Sequence, residues 1–180
     1  MSDTAVFTFG RMNPPTIGHE KLADKVRAVA RLVGGDPLIY LSHSQDKKKN
    51  PLDYNAKIKY AQAAFGKIVV RTKAKTIIEV LKELEKKGYN NIVLVVGSDR
   101  VASMEKLVKQ YNQKEYYFDE IAVKSAGDRD PDADGVDGMS ASKMREFVKN
   151  EDLDSFELGL PNGLRSQASK VFADVQKGMK

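Results

Sequence analysis

Five short apolar runs recur at residues 5–9, 38–42, 68–72, 92–96 and 120–124, each parted from the next by a stretch long enough for a helix. Runs of this length and composition suit strands buried on both faces of a parallel sheet. The intervening stretches carry helical stripes. Leu22, Val26, Val29 and Val33 fall on one face, and Ile58, Ala61 and Phe65 form a second stripe. Thr76-Ile77-Ile78-Glu79 is a capping box, in which the threonine oxygen takes one free amide and the glutamate reaches back to another. Ile77, Leu81 and Leu84 then share a face, and Gly88 supplies the left-handed residue that ends the helix. Val101, Met104, Leu107, Val108 and Tyr111 make the fourth stripe. Strands joined by helical crossovers predict an α/β fold, a doubly wound five-stranded parallel sheet.

Residues 125–138 break the rhythm with Gly, Pro and Asp and read as a loop. A helix from Ser140 to about Lys149 follows, and the tail reads as helical at 165–178, to pack on the sheet or on another subunit. The organisation expected is one domain over residues 1–150, with 151–180 as a C-terminal helical extension of it.

A chain of 180 residues suffices for one full core. Cysteine is absent, so disulfides and thiolate metal sites are excluded. No apolar run reaches the length of a membrane span, and no basic segment followed by an apolar one marks a secretory signal, so a cytoplasmic protein is expected. The formal charge of +5 is a mild excess. Nucleic-acid binding needs basic residues clustered on one face, so nucleic acid is not expected as a partner. Lys86-Lys87 reads as a solvated face, whereas Lys47-Lys48-Lys49 gains interest from its position.

Ligands of open parallel sheets bind beyond the carboxyl ends of the strands. After the first run comes Phe9-Gly10-Arg11-Met12-Asn13-Pro14-Pro15-Thr16-Ile17-Gly18-His19, and after the second Ser42-His43-Ser44-Gln45-Asp46-Lys47-Lys48-Lys49-Asn50-Pro51. After the fourth stands Gly97-Ser98-Asp99-Arg100, and after the fifth and its loop Met139-Ser140-Ala141-Ser142-Lys143-Met144-Arg145. Free amides at helix starts, joined by Arg, Lys and His, make an anion site suited to phosphate. Neither G-x-x-x-x-G-K-[ST] nor G-x-G-x-x-G is present, which speaks against a P-loop NTPase and a dinucleotide redox cofactor. In the first corner, Gly10 would admit a nucleotide, Pro14 and Pro15 would fix the turn, and Gly18 would let phosphate reach the helix start beside His19.

The first corner resembles the G-x-F-x-P-x-[HT]-x-G-H motif of the nucleotidylyltransferase superfamily, and residues 139–145 resemble its second signature, I-S-S-T-x-x-R. The segment from Gln45 to Ile58 is similar to archaeal-type nicotinamide mononucleotide adenylyltransferases, with Ala56-Lys57-Ile58 where those end in Glu-Arg-Ile. Gly97-Ser98-Asp99 looks like the G-x-D that contacts ribose in many relatives, although Asp99 would equally serve as a helix cap. Thr16 stands where many relatives carry histidine, but phosphopantetheine adenylyltransferases also have threonine there. Ala141 replaces the second serine of I-S-S-T, and Ser142 its threonine.

The resemblance implies a Rossmann-like enzyme that moves a nucleoside monophosphate, most naturally AMP from ATP, onto a phosphate-bearing acceptor such as nicotinamide mononucleotide. It implies a catalytic set of His19, Thr16, Arg145 and Lys48, with His19 on the α- and β-phosphates and Thr16 donating its hydroxyl to the same group. Phe9, Gly10, Arg11, Asn13, Gly18, Gly97, Asp99, Ser140, Ala141 and Ser142 would line the nucleotide, with Arg11 and Arg145 on the β- and γ-phosphates. Ser42, Lys47 and Asn50 would face the acceptor. Mg2+ would bridge phosphate oxygens, with no protein metal ligand assigned. His43 reads as structural or acceptor-facing, and Arg145 has Glu146 and Asp152 as alternative partners.

Asp130-Pro131-Asp132-Ala133-Asp134-Gly135 matches the first half of a calcium loop, but the twelfth place holds Ala141 and the eighth Asp137. It reads instead as a lid beside the phosphate site, whose carboxylates attract Mg2+ or repel the wrong acceptor. A cytidylyltransferase using CTP, and a nucleotide-binding module without catalysis, are the alternatives. A homo-oligomer is compatible with the sequence.

Overall fold

A computed structural model describes residues 1–127 and 139–180. The Asp-rich segment read above as a lid lies outside the described residues. Strands β1 (Thr4–Gly10), β2 (Asp36–Leu41), β3 (Val69–Val70), β4 (Asn91–Val96) and β5 (Glu120–Ser125) form one sheet in the order β3-β2-β1-β4-β5. The sheet is parallel, with helices on both sides. Its centre registers Thr4 against Asn91, and Asn91 against Glu120. The helices are α1 (Ile17–Val33), α2 (Tyr54–Phe65), α3 (Ile77–Lys86), α4 (Val101–Gln110), α5 (Ala141–Lys149), α6 (Leu153–Gly159) and α7 (Ala168–Met179).

The third strand is shorter than its apolar run suggests. Residues 66–68 form a single 3-10 turn, and past Val70 the Thr72 hydroxyl, not a neighbouring strand, accepts the Ala74 amide. The Gln62 amide covers the Val69 carbonyl at 3.2 Å. An edge strand is thereby closed by side chains.

Two compact units emerge, each woven from three stretches of chain. The first comprises residues 1–9, 22–40 and 71–129. Val6, Val26, Val29, Ala30, Val93 and Val95 form a buried cluster there. The α1 stripe is therefore carried by Val26, Val29 and two alanines, Ala23 and Ala30, while Val33 is 45% exposed. Gly35 explains the compactness: a Cβ there would sit 2.9 Å from Val6 Cγ2, so the chain turns hard against β1 and the last helical turn overhangs its packing. The Thr76 cap accepts the Glu79 amide as expected, but the Glu79 carboxylate takes the amide of Lys75, one residue before the cap. Ile77, Leu81 and Leu84 are buried, joined by Val80, and Gly88 follows the helix at φ +103°.

The second unit comprises residues 10–21, 41–70 and 130–180. Leu52, Tyr60, Met144, Val148, Phe156, Leu160, Leu164, Ala168, Val171 and Val175 make its core. The tail thus packs on α2 and α5. Helix α6 escaped periodicity because its seven residues are too few to draw a stripe. Asp152 caps it by accepting the Ser155 amide. Close backbone approach is built into the packing, since a Cβ on Gly178 would meet the Pro51 carbonyl oxygen at 1.9 Å. Among the described residues, no helix is long and apolar enough to cross a membrane.

Candidate functional site

The second unit gathers most of the residues singled out by sequence. The turn after β1 begins at Gly10, whose missing Cβ would have nothing within 4 Å. Arg11 is exposed, and Met12 is buried at φ +42°. Asn13 is wholly buried and behaves as a piece of backbone. Its Nδ2 donates to the Leu52 carbonyl at 3.0 Å, and its Oδ1 accepts from the Leu52 amide at 2.9 Å. The turn and the segment before α2 are thereby clamped together.

Thr16 starts α1. Its Oγ accepts from the amides of Gly18 (3.1 Å) and His19 (3.4 Å). The hydroxyl has a single proton, and its carbonyl acceptor is Met139 at 3.2 Å. Thr16 is 1% exposed, so in this conformation the group expected to meet phosphate is turned inward as a cap and a tether. His19 Nδ1 accepts from the Thr16 amide at 3.0 Å, which assigns the proton of a neutral ring to Nε2. A Cβ on Gly18 would lie 2.7 Å from the Met139 carbonyl oxygen. That space, assigned above to phosphate, is filled by the second signature itself, and only glycine lets the two signatures close to this distance.

Ser140 caps α5 through the Lys143 amide at 3.2 Å. The first amides of a helix have no partner within it, so Ala141 and Ser142 present backbone donors at a positive dipole end. One turn on, Arg145 donates from Nη1 to the Asn13 carbonyl at 3.0 Å, and not to Glu146 or Asp152. Burial, then the neighbouring Arg11 guanidinium, lower its basicity, and Asp46 opposes them. A guanidinium remains charged regardless. The two arginines therefore hold like charges together at an electrostatic cost that a bound anion would relieve.

The loop after β2 is shaped by Asp46. Its carboxylate accepts the amides of Lys48, Lys49 and Asn50 and the Asn50 Nδ2, and this carries its pKa down to about 2. Lys47, Lys48 and Lys49 are held outward on that loop, all exposed. Asn50 is 4% exposed, and its Oδ1 is a buried acceptor without a partner. The His43 ring stacks on Tyr54 at 3.7 Å between centroids.

Sequence reasoning passed over Lys57, on the inner face of α2. The side chain is 0% exposed and donates from Nζ to Ser42 Oγ at 3.1 Å. Burial, with Arg11 nearby, pushes the amine down to about 8. The only signal in the sequence was the lysine itself, within the Ala56-Lys57-Ile58 that departs from the Glu-Arg-Ile of the resemblance noted above.

Phe9, Gly97 and Asp99 belong to the first unit. Gly97 ends β4, and a Cβ on it would lie 2.9 Å from Asp99 Oδ1. Asp99 is exposed in the 3-10 turn of residues 98–100. No group of three or more His, Cys, Asp or Glu able to hold a metal occurs among the described residues.

The family model described as cytidylyltransferase-like matches residues 7–147, which takes in both corners and the loop between them. No curated protein matches the chain.

Proposed function

We propose, from a chain that belongs to the cytidylyltransferase-like family, transfer of AMP from ATP to a phosphate-bearing acceptor such as nicotinamide mononucleotide. Membership of the family supports nucleotidyl transfer in general. The observation that carries the reading is the gathering of Arg11, Arg145 and buried Lys57 around one corner, where among the described residues Asp46 bears on Arg145 as an opposing charge. Three cations beside a helix start fit a triphosphate far better than a neutral ligand.

In the proposed reaction an acceptor phosphate oxygen attacks the α-phosphorus in line. The bond from that phosphorus to the β-phosphate oxygen breaks, and pyrophosphate leaves. Such transfer needs alignment and charge neutralisation more than covalent help. His19 would donate from Nε2 to the α-phosphate, where negative charge gathers. Arg11 and Arg145 would hold the β- and γ-phosphates, and the α5 amides would complete the cradle. Thr16 would act through others, orienting His19 and anchoring Met139. Asn13 would position Arg145 by its carbonyl. Lys47 and Lys48, held outward by Asp46, would close over the triphosphate or the acceptor.

Mg2+ enters this reading as part of the nucleotide substrate. The described residues do not fit a resident ion, because no carboxylate set gathers and Asp46 is engaged by four N–H groups. No step here runs through a protein-held metal.

Pyrophosphate release, followed with ATP or CTP and nicotinamide mononucleotide, tests the proposal. Release with ATP is expected, and His19→Ala should lower kcat about 10²- to 10³-fold with an unchanged melting temperature, as for loss of one charge-stabilising donor. Tight ATP binding without turnover over a panel of phosphate acceptors would instead establish the non-catalytic module, to which the inward-turned Thr16 hydroxyl points.

A further inference from the structure

Lys57 is the one basic side chain buried among the described residues, and no carboxylate among them compensates its charge. One of its ammonium protons goes to Ser42 Oγ. No ion pair joins it to a carboxylate among the described residues, and the charge that bears on it most is the like charge of Arg11. A structural lysine at full burial ordinarily has a carboxylate partner, since an uncompensated cation costs several kcal/mol. Ser42 is equally suggestive. Its amide donates to the Gly10 carbonyl at 2.9 Å, fixing it at the tip of β2 beside the first corner. Its oxygen accepts from Lys57, so its own proton is directed elsewhere, and no acceptor for it occurs among the described residues. A hydroxyl donor backed by a buried cation is suited to an anionic oxygen.

We propose that Ser42 and Lys57 form a phosphate-recognising pair, in which the Ser42 hydroxyl donates to a phosphoryl oxygen of a substrate and Lys57 acts through Ser42 as a positioning residue. The inference rests on the nucleotidyl-transfer reading above and assigns that site a second phosphate contact. The oxygen belongs either to the nucleotide or to the acceptor, and the chemistry of the pair is the same for both. Arrival of the anion supplies a counter-charge that no described carboxylate provides, so an amine pushed down to about 8 takes up part of a proton on binding near that pH.

The test is calorimetric titration of ATP and of nicotinamide mononucleotide, separately, at about pH 8 in two buffers of different ionisation enthalpy. The wild type should take up a fraction of a proton with one of the two probes, and that probe identifies the source of the oxygen. Lys57→Met should abolish the uptake and weaken that probe about ten- to a hundredfold, leaving the other unchanged. Lys57→Arg should keep most of the affinity without the uptake, because a guanidinium is already protonated. Ser42→Ala, whose melting temperature is measured alongside because it removes the acceptor of Lys57, should weaken the same probe and no other. Equal affinities and equal proton counts for wild type and Lys57→Met would overturn the inference and leave the nucleotide site standing. If neither probe binds the wild type, the nucleotidyl-transfer reading itself falls, and the pair with it.

Discussion

Thr16 shows how one side chain can matter to a site without facing it. Its oxygen caps α1, its proton tethers Met139, and its amide orients His19. A histidine would meet these three demands differently, so the departure from the common motif relocates work rather than removing it. Lys57 is the opposite case, a charge with too little around it. Its folded pKa of about 8 lies below the ordinary 10.5. Below pH 8 the amine is protonated in both states and its burial cost stands in full. Between about 8 and 10.5 the unfolded chain keeps a proton that the folded one sheds, so stability rises with pH through that window. The rise should be on the order of a few kcal/mol. Urea melts across the window should show it for wild type, and a flatter curve for Lys57→Met; parallel curves would mean that the amine is not perturbed. None of this was legible in the sequence, where Lys57 looks like any lysine of an exposed helix. Burial is a property of what packs on α2, and the groups that meet Lys57, namely Ser42 and Arg11, lie outside its helix.

Among the elements, α5 carries the second signature and is the best example of a readable motif. Ser140 and Arg145 stand five positions apart within one local segment, so cap and guanidinium are set by helix geometry alone. Where the helix lies is another matter. Met144 and Val148 bury one of its faces in the core shared with Phe156, Leu160 and Val171. Two glycines make the close approaches possible. Gly18→Ala would force the Met139 carbonyl away from α1, and Gly178→Ala would drive a methyl into the Pro51 carbonyl. Each should cost about 1–3 kcal/mol in thermal melts, the usual toll of overpacking. The consequences should differ. Gly18→Ala should also weaken ATP binding, because it parts the two signatures, whereas Gly178→Ala should act through stability. Alanine at Gly10 meets nothing within 4 Å and serves as the control for folding. The expected roles of Gly10 and Gly18 were drawn from one motif, yet one borders open space and the other borders protein.

For the molecule as a whole, the family match ends at residue 147, while the core of the second unit continues to Val175. The last stretch supplies Phe156, Leu160, Leu164, Ala168, Val171 and Val175 to the core that holds Tyr60 of α2 with Met144 and Val148 of α5, the helices that carry Lys57 and Arg145. Tyr60 on α2 is hydrogen-bonded through its hydroxyl to Asp174 on α7. A chain cut after Asn150 should therefore fail to fold in its second unit and lose ATP binding. Circular dichroism and calorimetry on that truncation would check this; ATP affinity equal to that of the full chain would count against a buttressing role.

Local pattern was enough for whatever depends on neighbours in sequence. The alternation of strands and helices, the order of the two signatures and the cap at Thr76 all follow from periods of two and 3.6 and from residue types at fixed offsets. Tertiary structure decided what depends on residues distant in sequence. It turned the Thr16 hydroxyl inward, filled the space beside Gly18 with Met139, spent the Asn13 amide on Leu52 and buried Lys57 against Ser42. The physical reason is common to all four. Exposure, hydrogen-bond partner and charge state are set by atoms brought close by long-range packing, and no window along the chain contains them.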